Sequence, residues 1–260
     1  MAKKKERALV VSQEKIAENI YDLKLKTDIA KMAKCGQFVG VYTKNSKNLL
    51  PRPISLCEID RDENILRLVY RVVGEGTSEF KNLRDGDFVD IMGSLGNGYP
   101  IEEARDRKVI LIGGGIGVPP ILQTSKELKG IAKEINIVMG YRNSEIFLSK
   151  EFEKNGKLFI ATDDGSVGTH GTVIDALKEN NIEGDIIYAC GPMPMLRGLK
   201  AYAKENNIKA YISLEEKMAC GVGACLGCIV KTKNIDSHSH VNNARICTDG
   251  PVFDAEDVNI

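Results

Sequence analysis

Short apolar runs separated by polar turns dominate the first hundred residues. Leu9-Val-Val11, Ile20-Tyr-Asp-Leu-Lys-Leu25 and Phe38-Val-Gly-Val-Tyr42 are each β-prone. Residues 55–73 read as a hairpin turning at Asp60-Arg-Asp-Glu-Asn64. Thr77-Ser-Glu-Phe-Lys-Asn-Leu83 reads as one short helix, after which Asp85-Gly-Asp87 opens a strand over Phe88–Met92. Strands recurring at roughly 8–15-residue spacing predict an antiparallel barrel.

The pattern changes at Lys108. Val109-Ile-Leu-Ile112 is continuously apolar, as a parallel strand buried on both faces would be. It runs into Gly113-Gly-Gly-Ile-Gly117-Val-Pro119-Pro120 and an amphipathic segment over 121–128. Strand, glycine-rich turn and helix together present N–H groups and a helix dipole to a phosphate, and prolines at a helix start lose no hydrogen bond. Alone, such a turn is also compatible with a tight connection. Further strands are expected at 135–139, 158–161 and 185–190, with a helix from about Met195 to Asn206. Alternating β and α implies a parallel sheet with ligands at the carboxyl ends of its strands, where Arg142, Asp163 and Cys190 fall. Arg142 could meet a 2′-phosphate or pair with Glu145. Cys190 could serve a ligand or simply fill a strand end.

The last forty-five residues hold Cys220-Gly-Val-Gly-Ala-Cys225-Leu-Gly-Cys228, with eighteen residues between Cys228 and Cys247. C-x4-C-x2-C…C is the spacing with which plant-type ferredoxins hold a 2Fe-2S cluster. Four thiolates at roughly 2.3 Å from the metals need a tight loop, and Gly221, Gly223 and Gly227 permit positive φ there. A structural zinc site would pair two C-x2-C knuckles or add histidines at ligand spacing, and only one C-x2-C is present. Ile229–Thr232 reads as a strand leaving the loop, and Lys233–Asn243 as a polar surface loop.

Composition narrows the classes. Thirty-six basic and thirty-six acidic residues balance, which gives no case for nucleic acid or an anionic membrane surface. No apolar run reaches the ~18 residues of a membrane span. Met1-Ala-Lys-Lys-Lys-Glu-Arg7 has no apolar signal region, so the seven cysteines are expected in a reducing, cytoplasmic setting rather than in disulfides. The expected architecture is an antiparallel barrel (residues 1–100), a parallel-sheet α/β domain with a phosphate-type turn (101–212) and a small cluster domain (213–260).

Arg52-Pro53-Ile54-Ser55, Val69-Tyr70-Arg71 and Gly76-Thr77, in this order, resemble the flavin domain of the ferredoxin–NADP reductase superfamily. There an Arg-x-x-Ser/Thr strand faces the flavin, and a Gly-Ser/Thr pair opening a short helix serves its pyrophosphate. Leu83–Gly96 resembles the stretch closing that barrel. The turn from Gly113 to Pro120 resembles the superfamily's G-x-G-x-G-x-P dinucleotide turn, and Cys190-Gly191-Pro192 its turn beside the nicotinamide ring. With Thr162-Asp-Asp-Gly-Ser166 and the cysteine loop, the whole chain resembles the electron-transfer subunits of class 1B dihydroorotate dehydrogenases. The loop between Cys228 and Cys247 is some residues longer than that pattern.

The resemblance implies FAD held by Arg52, Pro53, Ile54, Ser55, Val69, Tyr70, Arg71, Gly76 and Thr77. It implies NAD(H) held by Gly113, Gly114, Gly115, Gly117, Asp163 and Gly191, with Cys190 near the hydride path. A 2Fe-2S cluster on Cys220, Cys225, Cys228 and Cys247 follows, with an FMN-containing catalytic partner subunit in a heterotetramer of two plus two. Electrons would pass from that FMN through the cluster and FAD to NAD+, in pyrimidine biosynthesis. A diaphorase-type subunit of a hydrogenase or of a ferredoxin-dependent NADP-reducing complex would use the same cofactors. A redox or metal sensor would need no hydride path.

Overall fold

The computed structural model describes residues 4–45, 49–235 and 240–260. The polar stretch 233–243 therefore lies partly outside the described residues. The barrel is built from β1 (Lys4–Ala17), β2 (Ile20–Lys26), β3 (Phe38–Val41), β4 (Arg52–Asp60), β5 (Ile65–Arg71) and β6 (Phe88–Leu95). It closes in the order β1-β2-β5-β4-β3-β6, with β6 sealing it between β1 and β3. Period-two alternation decides what points inward. On β5, Leu66, Leu68 and Tyr70 join the barrel core, while Arg67, Val69 and Arg71 face outward. The helix expected from Thr77 begins earlier, as α1 (Glu75–Phe80). Thr77 Oγ1 accepts from the Val73 N–H (3.0 Å) and the Gly74 N–H (3.2 Å), which caps the turn ahead of it.

The second layer runs β7 (Lys108–Gly114), α2 (Val118–Leu128), β8 (Glu134–Tyr141), α3 (Ser149–Phe152), β9 (Lys157–Thr162), β10 (Thr169–His170), α4 (Val173–Glu179), β11 (Ile186–Cys190), α5 (Met193–Glu205) and β12 (Lys209–Ser213). After the cysteine loop come β13 (Ile229–Lys231), β14 (Asn243–Arg245) and β15 (Val252–Asp254). The sheet order is β10-β9-β8-β7-β11-β12-β15. All its pairings are parallel except the last, where β15 returns antiparallel to β12. The chain after the cysteine loop thus completes the nucleotide-domain sheet, while β13 and β14 form a hairpin of their own. Two-residue β10 and terminal β15 carry too few apolar residues to be visible in the sequence pattern.

Both faces of this sheet are covered. Ile110, Ile112, Val138 and Ile187 pack with residues of α4 and α5 and with Cys228, Val230, Ile246 and Cys247. Val109, Leu111, Ile137 and Tyr188 pack with α2 and with the barrel's outward Ile20, Cys57 and Val69. Double burial is why β7 and β11 are continuously apolar. Strand order reverses between β7 and β11, the place where open parallel sheets bind ligands.

Candidate functional site

A cleft of about 950 Å³ opens at that reversal. Gly114, Gly115 and Ile116 line it from the end of β7, Gly191 and Pro192 from the end of β11, and Tyr141, Arg142 and Asp163 from the ends of β8 and β9. Gly117 packs behind them on the end of β11. A Cβ there would stand 2.4 Å from the Cys190 carbonyl oxygen, so only glycine lets the turn lie on the end of β11. Val118, Pro119 and Pro120 then start α2, where the prolines cost no hydrogen bond. Arg142 lines the cleft, but Glu145 does not pair with it; the Glu145 carboxylate accepts from the Glu18 N–H at 3.0 Å.

Cys190 sits differently from its expected place. Its side chain is wholly buried in the cluster that holds Tyr188 and α2, and the cleft is lined from Gly191 onward. The alternation that sends Tyr188 toward α2 sends Cys190 the same way, and burial pushes its thiol well above the ordinary range. Cys35 and Cys57 are buried likewise. Alkylation of the native protein, read by mass spectrometry, is therefore expected to leave Cys35, Cys57 and Cys190 unlabelled. Labelling of Cys190 at the rate of a surface thiol would show that the cleft reaches it.

The barrel brings its own three segments to one end. Arg52–Ser55 open β4, Val69–Arg71 close the antiparallel neighbour β5, and Gly76–Thr77 follow immediately in α1. The Arg52 guanidinium lies directly on Gly76, where a Cβ would come within 2.2 Å of its Nε, and it also donates to the Leu50 carbonyl. Ile54 and Ser55 are half-buried, whereas Pro53 is exposed. Tyr70 points into the barrel: its hydroxyl donates to Gln13 Oε1 (2.9 Å) and its ring stacks on Tyr21 (centroids 5.8 Å apart). Its ring also meets Phe80 of α1 edge-on (centroids 6.0 Å apart). Arg71 enters the cleft, and a methyl group on Gly115 would lie 3.8 Å from its Nη2. The flavin-type and dinucleotide-type segments therefore share one opening.

Glu215, just beyond β12, lines the same opening. Burial holds its carboxyl above the usual range, with the Arg71 guanidinium drawing it back down. The sequence reading missed it, because one Glu in Ser213-Leu-Glu-Glu216 carries no signal until the sheet places it opposite Arg71.

The cysteine loop folds through left-handed residues. Gly221 and Gly223 have φ of 65° and 83°, but Gly227 is not left-handed and Leu226 takes that conformation (57°) instead. Cys220 Sγ accepts from the N–H groups of Val222 and Cys225, both at 3.4 Å. Partial burial opposes ionisation of the Cys220 thiol, yet these N–H groups together with the Cys225 thiol bring its pKa to about 6. Cys247 is pushed up to about 11, by burial first and then by the adjoining Cys228 thiol. The Cys225 thiol thus acts on Cys220, and the Cys228 and Cys220 thiols act on Cys247, so the four belong to one neighbourhood. Among the described residues no three His, Cys, Asp or Glu side chains gather around a single ion. Four cysteines converging at C-x4-C-x2-C…C spacing suit the chemistry of a cluster with two irons. Gly221 rests on β6, a Cβ there lying 3.3 Å from Leu95 and 3.4 Å from Met92.

Comparison with known proteins finds matches over both regions. Residues 215–259 match the iron–sulfur cluster binding domain of dihydroorotate dehydrogenase B, and residues 111–201 the oxidoreductase NAD-binding domain. A dihydroorotate dehydrogenase B (NAD(+)) electron transfer subunit from Fusobacterium nucleatum is 42% identical over 253 residues, covering 94% of this chain and 95% of that protein. Its counterpart from Bacillus mycoides is 41% identical over 256 residues, 96% of each. In the structure of an NADH-dependent reduced ferredoxin-NADP oxidoreductase, one chain superposes with a TM-score of 0.87 at 31% identity, over 97% of this chain and 89% of that one. A ferredoxin NADP+ reductase from Neisseria gonorrhoeae with bound FAD and NADP shares the fold at a TM-score of 0.67 and 15% identity, over 78% of this chain and 91% of that one. The chain belongs to the family of electron-transfer subunits of dihydroorotate dehydrogenase B (NAD(+)).

Proposed function

We propose that this chain relays electrons from a catalytic, FMN-containing dihydroorotate dehydrogenase subunit through a 2Fe-2S cluster and FAD to NAD+. One observation carries the reading: Arg71 of the flavin-type segment and Gly115 of the dinucleotide turn meet in one cleft, while the four-cysteine loop rests on the same barrel. When bound, a flavin supplies the exchange between single electrons and a hydride pair, which neither a 2Fe-2S cluster nor a nicotinamide performs alone.

The residues divide the work. Cys220, Cys225, Cys228 and Cys247 hold the cluster, with the Val222 and Cys225 N–H groups stabilising thiolate charge at Cys220. Arg52 and the first turn of α1 receive the flavin's pyrophosphate, Ser55 and the main chain of Val69–Arg71 its ring system, with Pro53 and Ile54 alongside. Thr77 keeps the first turn in shape through its cap. Gly113, Gly114, Gly115 and Gly117 shape the turn for the dinucleotide phosphates, and Gly191 leaves room beside the flavin. Distances suit a relay. Gly221 touches Met92, which pairs with Gly40, which pairs with Pro53. Two strand spacings, roughly 10 Å, separate Met92, on which the loop rests, from Pro53 of the flavin segment.

Asp163, which lines the cleft from the end of β9, would hydrogen-bond the adenosine ribose hydroxyls and repel a 2′-phosphate, as an acidic residue does in dinucleotide sites. Asp163→Ser is expected to narrow the preference for NADH over NADPH by about tenfold, a change of ~1.4 kcal/mol. Steady-state kinetics with both nucleotides checks this; an unchanged ratio would remove Asp163 from the ribose. On the cluster side, Cys225 is exposed, as are Val222, Leu226 and Ile229 around it. There the catalytic subunit docks, in a heterotetramer of two plus two, a cytoplasmic assembly.

The likeness to the ferredoxin-NADP oxidoreductase chain supports a second reading, an NADP-linked complex fed by ferredoxin. Purification of the chain with its native partner separates the two. The test of the chain itself is an anaerobic visible spectrum before and after NADH. Flavin and iron–sulfur absorbance, both bleached, is the expected result, and a colourless zinc protein would contradict it.

A further inference from the structure

Outside these ligand segments, one group of charges is fully engaged between the barrel and the parallel sheet. Arg67, in the middle of β5 and facing outward, has a side chain only 11% exposed. Its Nε donates to Asp22 of β2 (2.9 Å), its Nη2 to Asp22 (2.7 Å) and to Glu151 of α3 (2.9 Å), and its Nη1 to Glu58 of β4 (3.0 Å) and Glu151 (2.6 Å). Asp22 and Glu58 belong to the barrel, Glu151 to the sheet layer. Lys126 of α2 reaches back to the other oxygen of Glu58 at 2.6 Å. Beside them Gln123 of α2 accepts from the main-chain N–H of Ile59 (2.9 Å), and Arg61 meets Glu127 (3.2 Å).

Such a group is a poor source of stability, because desolvation consumes most of what the ion pairs return. What a planar guanidinium held by three carboxylates does supply is geometry, since its fork accepts few orientations. The connected elements give that geometry a use. β4 and β5 carry Arg52–Ser55 and Val69–Arg71 at the end facing the cleft, and α2 begins at the dinucleotide turn. Arg67 lies four residues from Arg71, about 13 Å along the strand. Lys126 lies eight residues from Val118, about 12 Å along the helix. Over such arms, a tilt of a few degrees at the clamp moves the turn by about 1 Å relative to the flavin segment.

We propose that Arg67, held by Asp22, Glu58 and Glu151, is a positioning residue for hydride exchange, fixing the barrel against α2 and α3 so that the flavin and nicotinamide sites meet at reacting distance. It rests on the flavin-to-nicotinamide reading above and adds to it a determinant remote from either ligand.

The test uses the complete complex with its cofactors. Paired Glu151→Met and Lys126→Met substitutions remove the sheet-side ion pairs of Arg67 and Glu58 while leaving Arg67 with Asp22 and Glu58. Arg67→Met and Arg67→Lys complete the set, and should Arg67→Met fail to accumulate, the paired variant decides alone. FAD and iron content are measured first, then hydrogen–deuterium exchange over residues 56–61 and 121–128. The limiting rate and half-saturating NADH concentration for anaerobic flavin reduction follow. The paired variant is expected to keep FAD and iron, to exchange faster over both segments, and to lose about tenfold or more in limiting rate. Half-saturation should move by less than about threefold, and Arg67→Lys should recover part of the rate lost in Arg67→Met. Faster exchange with an undiminished limiting rate, or unchanged exchange, would overturn the proposal. A wild-type flavin indifferent to NADH would instead overturn the functional reading, while the exchange data would still report on the clamp.

Discussion

Exchange of Cys225 for alanine is expected to strip the iron from the protein while leaving its NADH-driven flavin reduction in place. Cys225 is the exposed member of the four, and its own N–H stabilises Cys220. Its loss leaves three ligands for two irons. The fold should survive, because Cys225 is exposed and the buried members, Cys228 and Cys247, lie in the apolar layer under α4 and α5. Iron and labile sulfide should fall to background and dihydroorotate-dependent NAD+ reduction should cease. Reduction of an artificial acceptor by NADH should continue near the native rate. An iron content equal to wild type would remove Cys225 from the ligand set. Loss of both activities together with FAD would mean that the loop props up the barrel rather than serving the relay.

The second large effect is expected at Gly117. An added methyl carbon would lie 2.4 Å from the Cys190 carbonyl oxygen, 2.5 Å from its carbon and 2.6 Å from Gly191 Cα, all of them main chain. No side chain can move aside, so either the turn lifts from the sheet or the end of β11 shifts. Overpacking of this kind costs about 1–3 kcal/mol, and a displacement of the phosphate turn by about 1 Å weakens a positioned reaction by up to about 100-fold. Gly117→Ala should therefore lower NADH-driven flavin reduction by about 10–100-fold, with FAD and iron contents at wild-type levels. Stopped-flow reduction against NADH concentration reads both effects. Wild-type kinetics in Gly117→Ala would show that the turn does not carry the dinucleotide.

Both predictions rest on residues that the sequence marked clearly, and the reason is physical. Iron chemistry demands four cysteines at a fixed spacing, and a turn lying on the end of a strand demands glycine, so residue identity alone exposes them. The order β7, turn, α2 was legible because β7 is buried on both faces and Pro119 and Pro120 can stand only at a helix start. The barrel hairpin was legible from its turn, where Asn64 adopts a φ of 58°. Other features depend on contacts between distant segments. That Tyr70 turns into the barrel follows from its register with Leu66 and Leu68, and that Cys190 turns away from the cleft follows from its register with Tyr188. Glu215 gains meaning only when β12 brings it opposite Arg71, and Arg67 only when α3 sets Glu151 beside β5. A charged residue in an outward strand position ordinarily meets water, and nothing local distinguishes one that meets a second layer of the fold.

The central claim is that electrons released on a catalytic partner leave this chain on a nicotinamide. The direct measurement is an anaerobic absorbance titration of the purified complex, first with dihydroorotate and then with NAD+. Dihydroorotate should bleach the flavin and iron–sulfur bands together, and NAD+ should restore them with formation of one NADH per dihydroorotate consumed. Bands that respond to NADH but stay unchanged with dihydroorotate, in a complex whose catalytic subunit is loaded with FMN, would contradict it.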